Sequence, residues 1–295
     1  MKRCRCVLLI LLFAVALSAQ TRVVMLGTGT PVANPFKSGP ASAVIVNHTA
    51  YLVDCGPGVV RRAALAARRG FPALRVARIH YVFITHLHTD HTLGYPDLIF
   101  SPWVLGRKMP LEAYGPAGLK AMTAAIMQAW SVDIHVRTTG LEHASTTGYH
   151  VDVHEIQPGV VYRDRNVTVT AFRVHHGNQL IAYGYKFKTA DRTIVFSGDT
   201  SPLDIVAREC DGCDLLFHEV YNRRGTARRE PDQLPYFHQY HTSPRELCRI
   251  AALAHPKLLV LYHQVLEGLP ESDLLAQVQA CYKGAVVSAH DLDVY

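Results

Sequence analysis

Residues 85–91 read Thr-His-Leu-His-Thr-Asp-His, which places three histidines and an aspartate within six positions. They come directly behind residues 79–85, an apolar segment that predicts a β-strand. Side chains alternate along extended backbone, so His86 and His88 leave the strand on the same side. Asp90 and His91 follow one turn later, where the chain can curl back over the same point. Imidazole nitrogens and a carboxylate at about 2 Å are what divalent zinc prefers. A surface histidine cluster would not sit behind an apolar strand, so the stretch is read as metal-binding.

Four donors cannot fill two metal sites, and further candidates stand at the ends of later strands. Val174-His175-His176-Gly177 follows VTVTAFRV, Ser197-Gly198-Asp199-Thr200 follows RTIVF, and His263 ends KLLVLYH. One such residue would be an ordinary structural group; three at equivalent positions point to a shared site. Coarsely, the chain alternates strands and helices in two halves with no Pro/Ser-rich linker. That pattern fits one α+β domain of two packed sheets with helices outside.

The N-terminus, MKRCRCVLLILLFAVALSAQ, has a basic start, an apolar run from Val7 to Val15, and small residues at Ala16, Ser18 and Ala19. This predicts a secretory signal peptide over 1–19. The apolar run is shorter than the roughly 20 residues that span a bilayer. The expectation is an exported, periplasmic or secreted protein comprising residues 20–295, with no membrane association after processing. Losing Lys2, Arg3 and Arg5 changes the net charge from +6 to +3, with 27 Lys+Arg against 24 Asp+Glu. That balance is too mild to argue for a nucleic-acid groove. Five cysteines remain: Cys55, Cys210, Cys213, Cys248 and Cys281. Cys210 and Cys213 either close a small disulfide or flank a turn as thiols, and the odd count leaves at least one thiol over.

The set HLHTDH, VHHG, SGDTSP and VLYHQ, in this order, resembles the metallo-β-lactamase superfamily of binuclear metallohydrolases. LGTGTP at 26–31, LVDCGPG at 52–58, HEV at 218–220 and HTSPRE at 241–246 are similar to the branch of ribonuclease Z and zinc-dependent arylsulfatases. The resemblance implies a four-layer αβ/βα sandwich. It implies two zinc ions, with iron or manganese as alternatives. His86, His88 and His176 would hold one ion, and Asp90, His91 and His263 the other, with Asp199 bridging. His176 is preferred to His175 because it immediately precedes Gly177. Asp54 would support a ligand from behind. His241, held by Glu219, would donate a proton to the leaving group; an N-cap role at the helix opened by Thr242-Ser243-Pro244 is the plainer reading of that position. Asp90, His241 and Glu219 form the expected catalytic set.

The implied activity is that of an exported zinc hydrolase. A hydroxide bridging the metals would attack a phosphate or sulfate ester, as in an arylsulfatase or phosphodiesterase. The expected partner is a small-molecule ester; no nucleic acid is expected, because the segment between His91 and His176 lacks a basic Gly/Pro-rich arm. A homodimer is admitted. Alternatives are a lactonase or β-lactamase-type acyl hydrolase, a di-iron oxidoreductase, and a non-catalytic metal-binding protein. Trp103 and Tyr95, just beyond the opening motif, are candidates either for a pocket wall or for core packing.

Overall fold

The computed structural model describes residues 20–295. The expected signal peptide lies outside the described residues. A six-stranded sheet runs in chain order: β1 (Arg22–Gly27), β2 (Ala41–Val46), β3 (Thr49–Val53), β4 (Tyr81–Phe83), β5 (Leu111–Gly115) and β6 (Val151–Glu155). A seven-stranded sheet contains β7 (Gly159–Arg163), β8 (Thr168–Val174), β9 (Ala182–Lys188), β10 (Thr193–Phe196), β11 (Leu215–Tyr221), β12 (Leu258–Val265) and β13 (Val286–Ser288), again in sequential neighbour order. Both sheets are mixed: β3 to β6 and β10 to β13 pair in parallel, the remainder antiparallel.

The period-2 alternation of the strands assigns each side chain to a layer. Val23, Met25, Val44, Val46, Tyr51, Val53 and Phe83 face the second sheet and meet Tyr185, Phe187, Phe196, Phe217 and Val260 between the sheets. Their neighbours Val24, Leu26, Ala43, Ile45, Leu52 and Val82 point the other way, under the outer helices. Those helices are α1 (Val59–Arg68), the short α2 (Thr89–Thr92), α3 (Tyr95–Val104), α4 (Leu119–Ala129) and α5 (Ser131–Thr139) in the first half. The second half adds α6 (Asp204–Cys210), α7 (Arg223–Thr226), α8 (Leu234–Tyr240), α9 (Pro244–Ala254) and α10 (Glu271–Cys281). The helices α6, α9 and α10 bury Val206, Leu247, Ile250, Leu274 and Val278 on the outer face of the second sheet. The αβ/βα layering expected from the sequence is therefore present.

Several elements depart from the sequence reading. The helices α2, α3, α5, α7 and α8 and the strands β7 and β13 are additional to it, and β12 runs past His263 to Val265. Trp103 and Tyr95 are core residues, 2% and 0% exposed. Trp103 Nε1 donates to the Ser145 carbonyl and the Tyr95 hydroxyl pairs with Thr123, so neither walls a pocket. Both cysteine pairs are disulfides, Cys210–Cys213 and Cys248–Cys281, and Cys55 is a buried thiol. No helix of the described residues is long and apolar enough to cross a membrane.

Candidate metal centre

Every donor singled out in the sequence lies at one end of the sandwich. His86 and His88 follow β4, with Asp90 and His91 in α2; His176 follows β8 and Asp199 follows β10. Glu219 lies within β11, and His241 follows α8. His263 is placed by a bulge. The β11–β12 register runs Glu219↔Tyr262 and then Val220↔Gln264, so His263 has no opposite residue. Its backbone is left-handed, φ 43°. An extra residue in one strand re-aims a side chain in this way, and left-handed backbone outside glycine is costly enough to mark a constrained site.

Three imidazoles converge first. His86 Nε2 lies 2.9 Å and His176 Nε2 3.1 Å from His88 Nδ1. The far nitrogens of the outer two rings are already committed: His176 Nδ1–H donates to the Tyr240 carbonyl at 2.7 Å, and His86 Nδ1 sits 3.0 Å from Thr85 Oγ1. Thr85 Oγ1 in turn donates to Asp54. In that tautomer both Nε2 atoms present lone pairs, and the single nitrogen of His88 cannot satisfy two of them.

A second group stands beside it. His263 Nε2 is 3.2 Å from Asp90 Oδ2 and 3.3 Å from Asp199 Oδ2. His91 Nε2 is 3.5 Å and 3.6 Å from the same two oxygens. Asp199 Oδ2 also reaches to 4.0 Å from His176 Nε2, so it touches both groups. His91 Nε2 and Asp199 Oδ1 are buried without a hydrogen-bond partner among the described residues. Lone pairs turned on one another, together with an orphaned nitrogen and oxygen, fit divalent cations. The donor chemistry, imidazole and carboxylate, is that of zinc. The donors fall within 4.8 Å of one another as His86/His88/His176, Asp90/His91/His263 and, joining them, His86/His91/Asp199.

The supporting residues hold the donors from behind. Asp54, itself left-handed at φ 61°, accepts the Thr85 N–H at 2.8 Å and the His91 Nδ1–H at 2.9 Å. One carboxylate thus fixes the rings on both sides of the pair, as outer partners of ligating histidines do. His175 turns away, pairing with Ser201 and Asn178 at the surface. Burial pushes His86 well down and His176 down to about 4. Burial would also lower His91, but the carboxylates of Asp54 and Asp199 outweigh it and raise it.

His241 borders this centre, with its ring centroid 5.3 Å from that of His176 and 6.1 Å from that of His263. Its Nδ1–H donates to Glu219 Oε2 at 3.2 Å, and Glu219 Oε1 accepts the Thr242 N–H at 2.7 Å. Glu219 is fully buried, which raises its pKa; burial alone would lower His241, and Glu219 reverses that. The N-cap of α9 is Ser243, in a capping box with Glu246, so His241 is not spent on capping.

A cleft of about 400 Å³ opens onto His88, Asp90, His176, Asp199, His241 and His263. Its remaining wall includes Arg229, Gln233, Tyr236 and Phe237, none of which was expected from the sequence. The signal was present as an aromatic run, Pro235-Tyr-Phe-His-Gln-Tyr240, just ahead of His241.

The Beta-lactamase superfamily domain matches residues 49–264. Ribonuclease Z of Mycobacterium bovis is 30% identical over 247 residues, covering 82% of this chain and 85% of the relative. The short form of human tRNase Z superposes with a TM-score of 0.67 at 25% identity, covering 93% of this chain and 98% of that one. A metallo-β-lactamase fold protein of Bacillus subtilis gives a TM-score of 0.72 at 20% identity over 94% of this chain and 99% of that one, a likeness of fold. Two of these relatives, the mycobacterial ribonuclease Z and the human tRNase Z, overturn the expectation of a small-molecule ester partner with no nucleic acid, because both are ribonucleases matched over most of their length. The charge reasoning failed because the net charge of residues 20–295 averages over the whole surface and does not describe the lining of one cleft. The chain belongs to the metallo-β-lactamase superfamily of hydrolases and is ribonuclease Z-like.

Proposed function

We propose that the protein is an exported phosphodiesterase that uses two divalent ions and has RNA among its substrates. The observation that carries this reading is the pair of donor groups sharing Asp199, with the buried His241–Glu219 pair beside them. His86, His88 and His176 would hold one ion, and Asp90, His91 and His263 the other, with Asp199 between. Two such ions supply Lewis acidity, lower the pKa of water from about 15.7 toward 7, and offset charge on the transferred group.

The chain's own residues do the rest. Asp54 and Thr85 hold the rings of His86 and His91, so the donors do not have to be ordered when substrate arrives. Glu219 accepts the Nδ1–H of His241 and favours the imidazolium form, so Nε2 also carries a proton toward the cleft that His241 lines. Water gives up one proton to solvent as its oxygen forms a bond to phosphorus, and the P–O ester bond breaks with its electron pair on the leaving oxygen. His241 supplies the proton that oxygen needs, a contribution worth typically 10²–10⁴-fold in rate. The two disulfides support export, since such bonds persist in oxidising compartments.

The test is metal analysis combined with turnover of an RNA oligonucleotide, bis-p-nitrophenyl phosphate, p-nitrophenyl sulfate and a lactone. Cleavage of the two phosphodiesters, lost in His241→Ala, is expected. Preference for the sulfate or the lactone would move the activity to a sulfatase or acyl hydrolase, and no turnover by the metal-loaded protein would leave a metal-binding protein.

A further inference from the structure

One side of the cleft is built from residues that this chemistry leaves unused. Tyr236 is 48% exposed on the wall of the cleft. One face of its ring stacks on Tyr240, with centroids 4.6 Å apart and planes at 19°. Phe237 meets its edge at 5.3 Å, and the His241 ring lies 5.8 Å away. Tyr236 lines the cleft, so the part of its ring that Tyr240, Phe237 and His241 leave uncovered is open to a ligand there.

The support behind that ring is firm. The Tyr240 carbonyl accepts the Nδ1–H of His176. A Cβ at residue 177 would lie 2.2 Å from the Tyr240 ring, so Gly177, at φ 68°, is what lets the ring pack there. The aromatic stack is thus tied to the same residues that form the centre. Among the described residues lining the cleft, Arg229 is the only lysine or arginine; its Nε donates to Glu267 Oε2 and its side chain is 47% exposed.

We infer that Tyr236 is a specificity-determining residue: it stacks on the base of the nucleotide whose oxygen leaves, with Arg229 beside that nucleotide's anionic group. The placement follows from His241, because the leaving oxygen must come to the proton donor and the open aromatic face is next to that donor. A purely alkyl leaving group would gain little from a planar ring, whereas every nucleobase has a π-face to stack on it. The inference rests on the phosphodiester reading and narrows its substrate class.

The experiment compares two dinucleotides that differ only in the leaving nucleoside, one bearing its base and one with the base replaced by hydrogen. The metal-loaded wild type is expected to favour the base-bearing substrate by roughly 10-fold or more in kcat/KM, mostly through KM. Tyr236→Phe keeps that ratio, and Tyr236→Leu brings it close to 1. A wild-type ratio near 1, or a ratio that survives in Tyr236→Leu, overturns the assignment while leaving the phosphodiesterase standing. If the wild type cleaves neither dinucleotide, the phosphodiester reading falls, and equilibrium dialysis decides the stacking. Adenosine monophosphate should then bind wild type at least several-fold more tightly than Tyr236→Leu, and ribose phosphate should bind both alike; equal binding of adenosine monophosphate overturns it.

Discussion

Two regions meet at the cleft, and they are built in opposite ways. The donor groups stand at strand ends, in the short α2 and on a bulge of β12, are nearly all buried, and have backbones or rings held by Asp54, Thr85 and the Tyr240 carbonyl. The wall of residues 223–240 consists of two short helices and a 3₁₀ turn, carries Tyr236 half-exposed, and is tied by the Arg229–Glu267 pair at its margin. The donors are held at the sheet ends and in α2, and the residue proposed to select among leaving groups sits on a segment of short helices. Catalytic sites on rigid elements with variable neighbours follow the same division.

The largest expected effect comes from the residue shared by both donor groups. Asp199→Ala should lower phosphodiester turnover by at least about 10³-fold and lower the bound metal, read by elemental analysis. A variant that keeps both would break the distinction between the two regions. Next is His241→Ala, expected to lower kcat by roughly 10²–10⁴-fold with metal content retained. Loss of metal in that variant would make His241 part of the donor set and not its neighbour.

How much of this was legible in the sequence follows the same boundary. An apolar strand that ends in His or Asp is a local pattern, and it was readable at His86, Asp199 and His263 without any knowledge of their partners. The bulge that aims His263 was not readable, because it exists only in the pairing of β12 with β11. Trp103 and Tyr95 could not be assigned from their position after the motif; the helix they belong to, α3, contains Pro102 and lacks a clear polar face. The aromatic run at 235–240 was visible as letters, yet only the fold brings it against His241. The four cysteines now in disulfides gave no pairing from spacing alone beyond the adjacent Cys210 and Cys213.

Away from the cleft the comparison extends to stability. Arg107 is 1% exposed with no carboxylate partner among the described residues; its guanidinium donates to the carbonyls of Ile79, Leu98, Ile99 and Gly148, and burial lowers its pKa to about 10. It fastens the end of α3 to the 140–150 loop. Arg107→Leu strands those carbonyls and should destabilise the fold by about 2–4 kcal/mol in urea titration. The metal content at low temperature should be unchanged, because the donors hang from other strands. The smallest expected effect is at Asp214. Partial burial opposes its ionisation, but the Lys257 ammonium and the Thr193 N–H, each at 2.7 Å, outweigh that and hold its pKa below the usual range. A depressed folded pKa gives stability that is present above the unfolded value of about 4 and is lost as pH falls through the folded one. Asp214→Asn should cost about 1 kcal/mol at neutral pH and show a smaller penalty in acid.

The central claim is that two adjacent donor groups hold two ions through a shared aspartate. Titrating metal-free protein with zinc in a calorimeter, with stoichiometry checked by elemental analysis, tests it most directly. Two ions per chain are expected for the wild type, falling toward one in His263→Ala, which removes a donor from one group only. A wild type that binds one ion or none, or a His263→Ala protein that still binds two with unchanged affinity, would contradict it.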